Sequence, residues 1–288
     1  MPRLTTLGRL LFLLCGAFAV AFSAAAGERG RLTITHGGHE LPVWHYRPAG
    51  LPADAPVLFV IHGVGRNAED YLNDWVELAD AKRFLLVVPE FTKKEFPGEE
   101  GFNSGNLFDA AGRPVPREAW SFSMIEPAFD AVRAQLGSTR PDYCLYGHSA
   151  GAQFVQRFLY FVPDARVARA VAANAGWYML PELERAFPYG LKGTTADAAA
   201  LRRVFAFPFN VLLGDADTDA KHPALRHSPE ADEQGPYRFA RGQFFFNRAK
   251  AAAAALDTPF HWMLSIAPNV AHNNKGMAPY AARLLFPN

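Results

Sequence analysis

The chain has 288 residues, half of them hydrophobic and 20% charged, which is enough apolar material for one large core. The formal net charge is +1 at pH 7, so composition offers no basic surface for nucleic acid or for an anionic membrane. The sequence carries no heptads, no internal repeat and no long low-complexity tract, and the short run Ala251–Ala255 reads as helix.

The N-terminus reads as a segment apart. Arg3 and Arg9 precede an apolar run from Leu10 to Phe22, and Ser23-Ala24-Ala25-Ala26 follows. A positive start, an apolar middle and small residues at the end are the pattern of a secretory signal peptide. The expectation is a signal over residues 1–26, cut near Ala25 or Ala26, and one domain over residues 27–288, periplasmic or secreted and without a stable membrane anchor. The apolar run is shorter than the roughly 18–20 residues a spanning helix needs. Leu14 stands where a lipid-modified Cys15 would require a small residue. Without Cys15 the chain keeps only Cys144 and no internal disulfide, a usage that leans toward the periplasm. Cys144 lies in an apolar run and reads as a small core residue.

The elements then follow in order. Arg31–His36 and Leu41–Arg47 read as a hairpin around Gly37-Gly38. Pro56–Ile61 is a buried strand, Glu69–Ala81 a helix with Tyr71, Trp75, Leu78 and Ala79 on one face, and Phe84–Val88 the next strand. Glu126–Leu136 is helical, with Pro127 in its first turn. Asp142–Tyr146 is a strand and Ala150–Phe161 a helix that aligns Phe154, Phe158 and Phe161. Val167–Ala173 and Phe209–Leu213 are further strands, Tyr237–Leu256 is a helix, Phe260–Ile266 the last strand and Met277–Leu285 the last helix. Repeated β-α-β order predicts a mostly parallel sheet with helices on both faces and reactive groups beyond the strands' carboxyl ends. Two long segments, Phe91–Pro116 and Tyr178–Phe207, interrupt the alternation and read as a small lid or pocket walls; the second carries two short helical patterns.

The chemistry-bearing residues sit where this architecture puts them. Gly147-His148-Ser149-Ala150-Gly151 joins a strand to a helix and matches G-x-S-x-G, in which the serine stands on a strained turn and the glycines avoid clashes. A serine hydroxyl needs an adjacent base, and in such folds the acid and the histidine follow the serine in that order. Asp217 is the preferred acid, three residues past Gly214, with Asp215 and Asp219 as competitors whose alternative role is turn formation. His272 alone lies beyond the last strand; His261 is at the wrong end of it, and His62 and His148 precede the acid. His62 is expected to order the loop after its strand. An oxyanion hole needs two N–H groups, assigned to Ala150 and to Val64, with Gly63 and Gly65 as alternatives to Val64. The loop lacks the lysine of a nucleotide P-loop and the spacing of a dinucleotide fingerprint. Neither His36, His39 and His45 nor His222 and His227 form a zinc-ligand pattern, so no metal and no cofactor are expected.

Several stretches resemble a known group: IHGVGRNAEDY, GFNSGN, GHSAGAQFVQRF, ANAGWY, LLGDADTD, RFARGQFFF and the final AH-x-x-x-GMA. From about Leu41 onward the chain resembles bacterial exported α/β-hydrolases of the poly(3-hydroxybutyrate) depolymerase-like esterase group. The resemblance implies the α/β-hydrolase fold and Ser149, Asp217 and His272 as catalytic triad, in agreement with the residue-level choice. Many members of the group carry glycine where this chain has Ala152, a conservative change that favours the helix starting there. Phe102, Trp177 and Tyr178 are candidate apolar contacts of a substrate pocket, although Trp177 and Tyr178, which follow a strand end, read equally well as core residues. The expected reaction is hydrolysis of a small or oligomeric carboxylic ester, including hydroxyalkanoate oligomers. A peptidase or amidase uses the same triad, and a non-catalytic binding protein on this scaffold is the alternative from another class.

Overall fold

The computed structural model describes residues 26–287. All but the last residue of the expected signal peptide, Cys15 included, lies outside the described residues. Among the described residues no helix is long and apolar enough to cross a membrane.

The hairpin comes first: β1 (Glu28–His36) and β2 (His39–Arg47) pair antiparallel around Gly37 and Gly38, whose φ values of 56° and 83° suit glycine. There follow β3 (Val57–Ile61), α1 (Ala68–Lys82), β4 (Leu85–Pro89), α2 (Ile125–Leu136), β5 (Tyr143–His148), α3 (Ala150–Phe161) and β6 (Val167–Ala173). The chain continues with α4 (Ala198–Phe205), β7 (Phe209–Gly214), α5 (Pro229–Asp232), α6 (Arg238–Ala255), β8 (Met263–Ala267) and α7 (Asn274–Leu285). The eight strands of the described residues form one sheet in the order β1-β2-β4-β3-β5-β6-β7-β8. From β4 to β8 every neighbouring pair is parallel, and the hairpin is joined antiparallel through β2 and β4.

Alternation along the strands feeds two cores. Phe59, Ile61, Val87, Leu145, Val211 and Leu213 pack on one face with Phe129 of α2, Phe154 and Phe158 of α3, Val204 of α4 and Phe245 of α6. Leu58, Val60, Leu86, Tyr146 and Leu212 point the other way, onto Tyr71 and Trp75 of α1 and onto Met277 and Ala281 of α7. A strand buried on both faces loses its polar alternation, which is why VLFVI and the strand after α1 read as unbroken apolar runs. Helix α3 is buried along its whole length, as suits the helix behind the central strands. Cys144 is buried in the second core, as its apolar context predicts.

Three expectations change. The last strand begins at Met263 rather than Phe260, because Phe260 and Trp262 pack toward the core and His261 bonds to the end of α4 instead of pairing. Trp262 donates its indole N–H to the Val204 carbonyl at 2.7 Å, and the His261 backbone N–H donates to Phe205. Of the two helices expected between Tyr178 and Phe207, only α4 forms, capped by the Asp197 side chain on the Ala200 N–H. Residues 181–193 fold instead into turns tied by Leu191 N–H to Glu182 O and Lys192 N–H to Arg185 O, a path consistent with Pro181, Pro188, Gly190 and Gly193. Between β7 and α6 lies a third long segment, residues 215–237, which the sequence did not announce as a wall.

Candidate active site

Ser149 sits between the end of β5 and the start of α3 with φ 58° and ψ −117°, a conformation uncommon for a side chain other than glycine. The surroundings hold it there. Its N–H donates to Ala173 at 2.9 Å, and its carbonyl accepts from Ala152 and Gln153. A Cβ on Gly147 would stand 2.1 Å from the Gly151 carbonyl oxygen, and one on Gly151 would stand 2.0 Å from that of Ile61. Backbone therefore packs on backbone at both positions, and the strain at Ser149 is fixed by its neighbours.

His272 follows β8, and its Nε2 lies 3.0 Å from the Ser149 hydroxyl oxygen. Its Nδ1 lies 2.8 Å from Asp217 Oδ2. A carboxylate only accepts, so Nδ1 carries the hydrogen and Nε2 presents its lone pair to the serine. The competing aspartates have other work: Asp215 accepts from the Asn269 N–H at 2.6 Å, and Asp219 from the Lys221 N–H at 2.8 Å. His261 stands beside Ala206, before the amino end of β8.

Residues that sequence reasoning missed hold this chain of bonds in place. Asn174 accepts from the Gly214 N–H at 2.8 Å and donates to the Ala271 carbonyl at 3.3 Å, which ties the acid loop to the histidine loop. Arg238 is 1% exposed and sets Nη1 3.5 Å from Asp217 Oδ1. Its Nη2 donates to His222 Nδ1 at 3.2 Å, and the Ala224 N–H donates to the same nitrogen at 3.1 Å. Two donors on Nδ1 place the His222 hydrogen on Nε2, on a ring that lines the histidine side of Ser149 together with His272. Arg241, fully buried, donates to the carbonyls of Gly176, Arg226 and Gly235 and to Asp232, anchoring residues 215–237. The signal was present in RFARG: two arginines three apart next to a glycine, whose Cβ would meet Leu213 Cδ2 at 2.3 Å.

The loop after β3 borders the serine on its other side. A Cβ on Gly63 would lie 3.5 Å from Ser149 Cβ, and Val64, 53% exposed, lines the same cleft as Ser149 and Ala150. Ala150 is the first residue of α3, so its N–H has no intrahelical acceptor. His62 orders this loop as expected: the Phe91 N–H donates to Nε2 at 3.0 Å, so Nδ1 donates to the Gly63 carbonyl at 3.0 Å. Burial lowers the His62 pKa from 6.5 to about 4, outweighing the raising effect of its bond to Gly63. His148, in ring contact with His272 at 4.7 Å, is driven well below the ordinary value by burial, with His272 and Arg238 adding to the effect.

A pH dependence of stability follows. Below an unfolded pKa near 6.5 the unfolded chain takes up protons that native His62 refuses until about pH 4, so stability falls as pH drops through that window. From His62 alone the loss is on the order of 3 kcal/mol, and His148 acts in the same direction. Urea unfolding at about pH 7 and about pH 4.5 should show the midpoint falling, and a constant midpoint would contradict buried neutral imidazoles.

The cleft walls correct two expectations. Phe102 does not line the cleft: it is fully buried under the Arg66 guanidinium at 4.0 Å and against His62 at 5.0 Å. Tyr178 is also fully buried, stacked on Phe245 at 4.5 Å. Both aromatics support the walls from behind. Trp177 does reach the cleft, although the guanidinium carbons of Arg157 and Arg226 lie over its ring at 4.5 and 4.8 Å. Gln153 accepts from Asn103 at 2.8 Å and donates to the Trp177 carbonyl at 2.9 Å, joining the first two walls. Pro223 to Arg226, from the third segment, complete this cleft of about 290 Å³. Among the described residues no group of three or more His, Cys, Asp or Glu is placed to hold a metal ion.

A mostly parallel sheet flanked on both faces, with serine, histidine and aspartate joined beyond its carboxyl edge, defines an α/β-hydrolase. No family model and no curated protein matches the chain. Solved structures do. Poly(aspartic acid) hydrolase-1 from Sphingomonas sp. KT-1 is 45% identical over 91% of this chain and 99% of its own, with a TM-score of 0.87. LpqC, poly(3-hydroxybutyrate) depolymerase from Bordetella parapertussis, is 36% identical over 91% of each chain, with a TM-score of 0.86. An S-formylglutathione hydrolase from Agrobacterium tumefaciens, 17% identical over 89% of this chain and 92% of its own, shares the fold with a TM-score of 0.57. The chain belongs to the family of α/β-hydrolases that includes the first two, and it is a hydrolase.

Proposed function

We propose that this hydrolase cleaves carboxylic esters through an acyl-enzyme on Ser149. The observation that carries the proposal is the chain Asp217–His272–Ser149, with contacts of 2.8 and 3.0 Å. Ser149 Oγ attacks the ester carbonyl while His272 Nε2 takes its proton, and Asp217 fixes the imidazole and stabilises its charged form. The oxyanion is received by the N–H groups of Val64 and Ala150. His272 then returns the proton to the departing alcohol, and water resolves the acyl-enzyme by the same steps. No cofactor takes part. We further propose that residues 1–26 are removed on export, leaving residues 27–288 as the catalytic domain in the periplasm or outside the cell.

Hydroxyalkanoate or other polyester oligomers are the proposed substrates, supported by the depolymerase at 36% identity. Amide cleavage is the second reading. It is supported by the poly(aspartic acid) hydrolase at 45% identity and by Arg226, which brings a cation to the cleft wall. A panel of p-nitrophenyl esters, hydroxyalkanoate oligomers and aspartyl oligomers separates them. The proposal expects the hydroxyalkanoate esters to have the higher kcat/KM. Cleavage of aspartyl oligomers with esters left intact would contradict it.

A further inference from the structure

A second cavity, of about 430 Å³, opens beside the serine cleft between the first two walls. It falls in the range of about 300–1,000 Å³ typical of pockets that bury organic ligands. Leu107 and Phe108 line it from one wall, Phe187 and Pro188 from the other. The two phenylalanine rings meet at 5.5 Å. Glu99 and Arg226 line both this cavity and the serine cleft. Arg226 Nη2 and Glu99 Oε2 are 2.9 Å apart, with about a third of each side chain exposed, and Arg226 Nη1 also donates to the Tyr189 hydroxyl at 3.2 Å. The Glu99–Arg226 ion pair thus stands at the boundary the two spaces share, and a partly exposed pair of this kind adds little energy of its own.

The proton route assigns the side. A leaving group takes its proton from His272, so it must depart where the imidazole stands. That region, about 420 Å³, is lined by His272, His222, Asn273 and Asn274. The cleft of Ser149, Ala150, Gln153, Trp177 and Arg226 does not include His272, which leaves it to the acyl group. From there the way past Trp177 and Arg226 leads into the second cavity.

We infer that this cavity is an acyl-side subsite for an oligomeric substrate: a linear acyl chain of several hydroxy-acid units extends from Ser149 past the Glu99–Arg226 pair, and its distal units pack against the joined rings of Phe108 and Phe187. The inference rests on the acyl-enzyme proposal and adds to it that selectivity for chain length lies on the acyl side, in residues away from the triad.

The test compares p-nitrophenyl acetate with the p-nitrophenyl ester of a three-unit 3-hydroxybutyrate acyl chain. In the wild type the longer acyl ester should have the higher kcat/KM, by about tenfold. Lys192 is an exposed residue of the cavity rim, and Lys192→Trp should fill the space. Phe108→Ala should remove one apolar wall. Each variant should lower the ratio of long to short ester by about tenfold, through KM, with acetate hydrolysis retained as evidence of an intact fold. A wild-type ratio near one, or a ratio unmoved in both variants, overturns the subsite. Failure of the underlying proposal reads differently: the wild type would then cleave neither ester and take no fluorophosphonate.

Discussion

Ser149→Ala is expected to lower kcat for ester hydrolysis by about 10⁵- to 10⁶-fold, leaving the fold in place. The loss is large because no neighbouring group can stand in for the hydroxyl. His272 Nε2 would face a methyl group, and the imidazole would have no nucleophile to activate. The residue that remains keeps the backbone links to Ala173, Ala152 and Gln153, so the turn survives. The oxyanion donors and the cleft also survive, which accounts for the residual rate over water. Steady-state kinetics beside circular dichroism checks this. A variant that retains more than about a hundredth of wild-type turnover would remove Ser149 from the mechanism.

Asp217→Asn should cost about 10⁴-fold in kcat, while Asp215→Asn and Asp219→Asn should cost far less. The asparagine keeps the shape of the aspartate. Its amide nitrogen, however, donates where the carboxylate accepted, and it drives the hydrogen of His272 from Nδ1 to Nε2. The lone pair facing Ser149 is then lost. The substitution also takes the negative charge away from buried Arg238, whose Nη1 stands 3.5 Å from Oδ1, so a fall in stability should accompany the fall in rate. Among the described residues the Asp215 and Asp219 side chains accept from backbone N–H groups, and asparagine can replace those bonds. Kinetics of the three variants side by side decides the matter; equal losses in all three would contradict a single acid partner.

The centre of the sheet was legible because β3, β4, β5 and β7 are buried on both faces. VLFVI, FLLVV and the run into Gly147 stand out as apolar blocks, and the tight turn at Ser149 is announced by two glycines that backbone contacts require. Order along the chain then led to His272, and distance past Gly214 led to Asp217. Pocket walls were another matter. An aromatic in a loop at the carboxyl edge packs toward the core or toward substrate by contacts that no local pattern encodes. Phe102 is covered by Arg66 and Tyr178 by Phe245, partners 36 and 67 positions away in the chain. Arg238 and Arg241 would ordinarily read as a solvated helix face. They are buried because Asp217, His222 and a set of loop carbonyls wait above that face. The role of residues 215–237 as a wall went unread for a related reason: they are held by those buried arginines and carry only one four-residue helix of their own.

The central claim is a covalent intermediate on one serine. Its most direct test is to treat the folded protein with a small fluorophosphonate and map the adduct by peptide mass spectrometry. One equivalent is expected, carried on Ser149, with ester hydrolysis lost in step. An adduct on a different serine, or ester hydrolysis that continues with Ser149 fully modified, would contradict it.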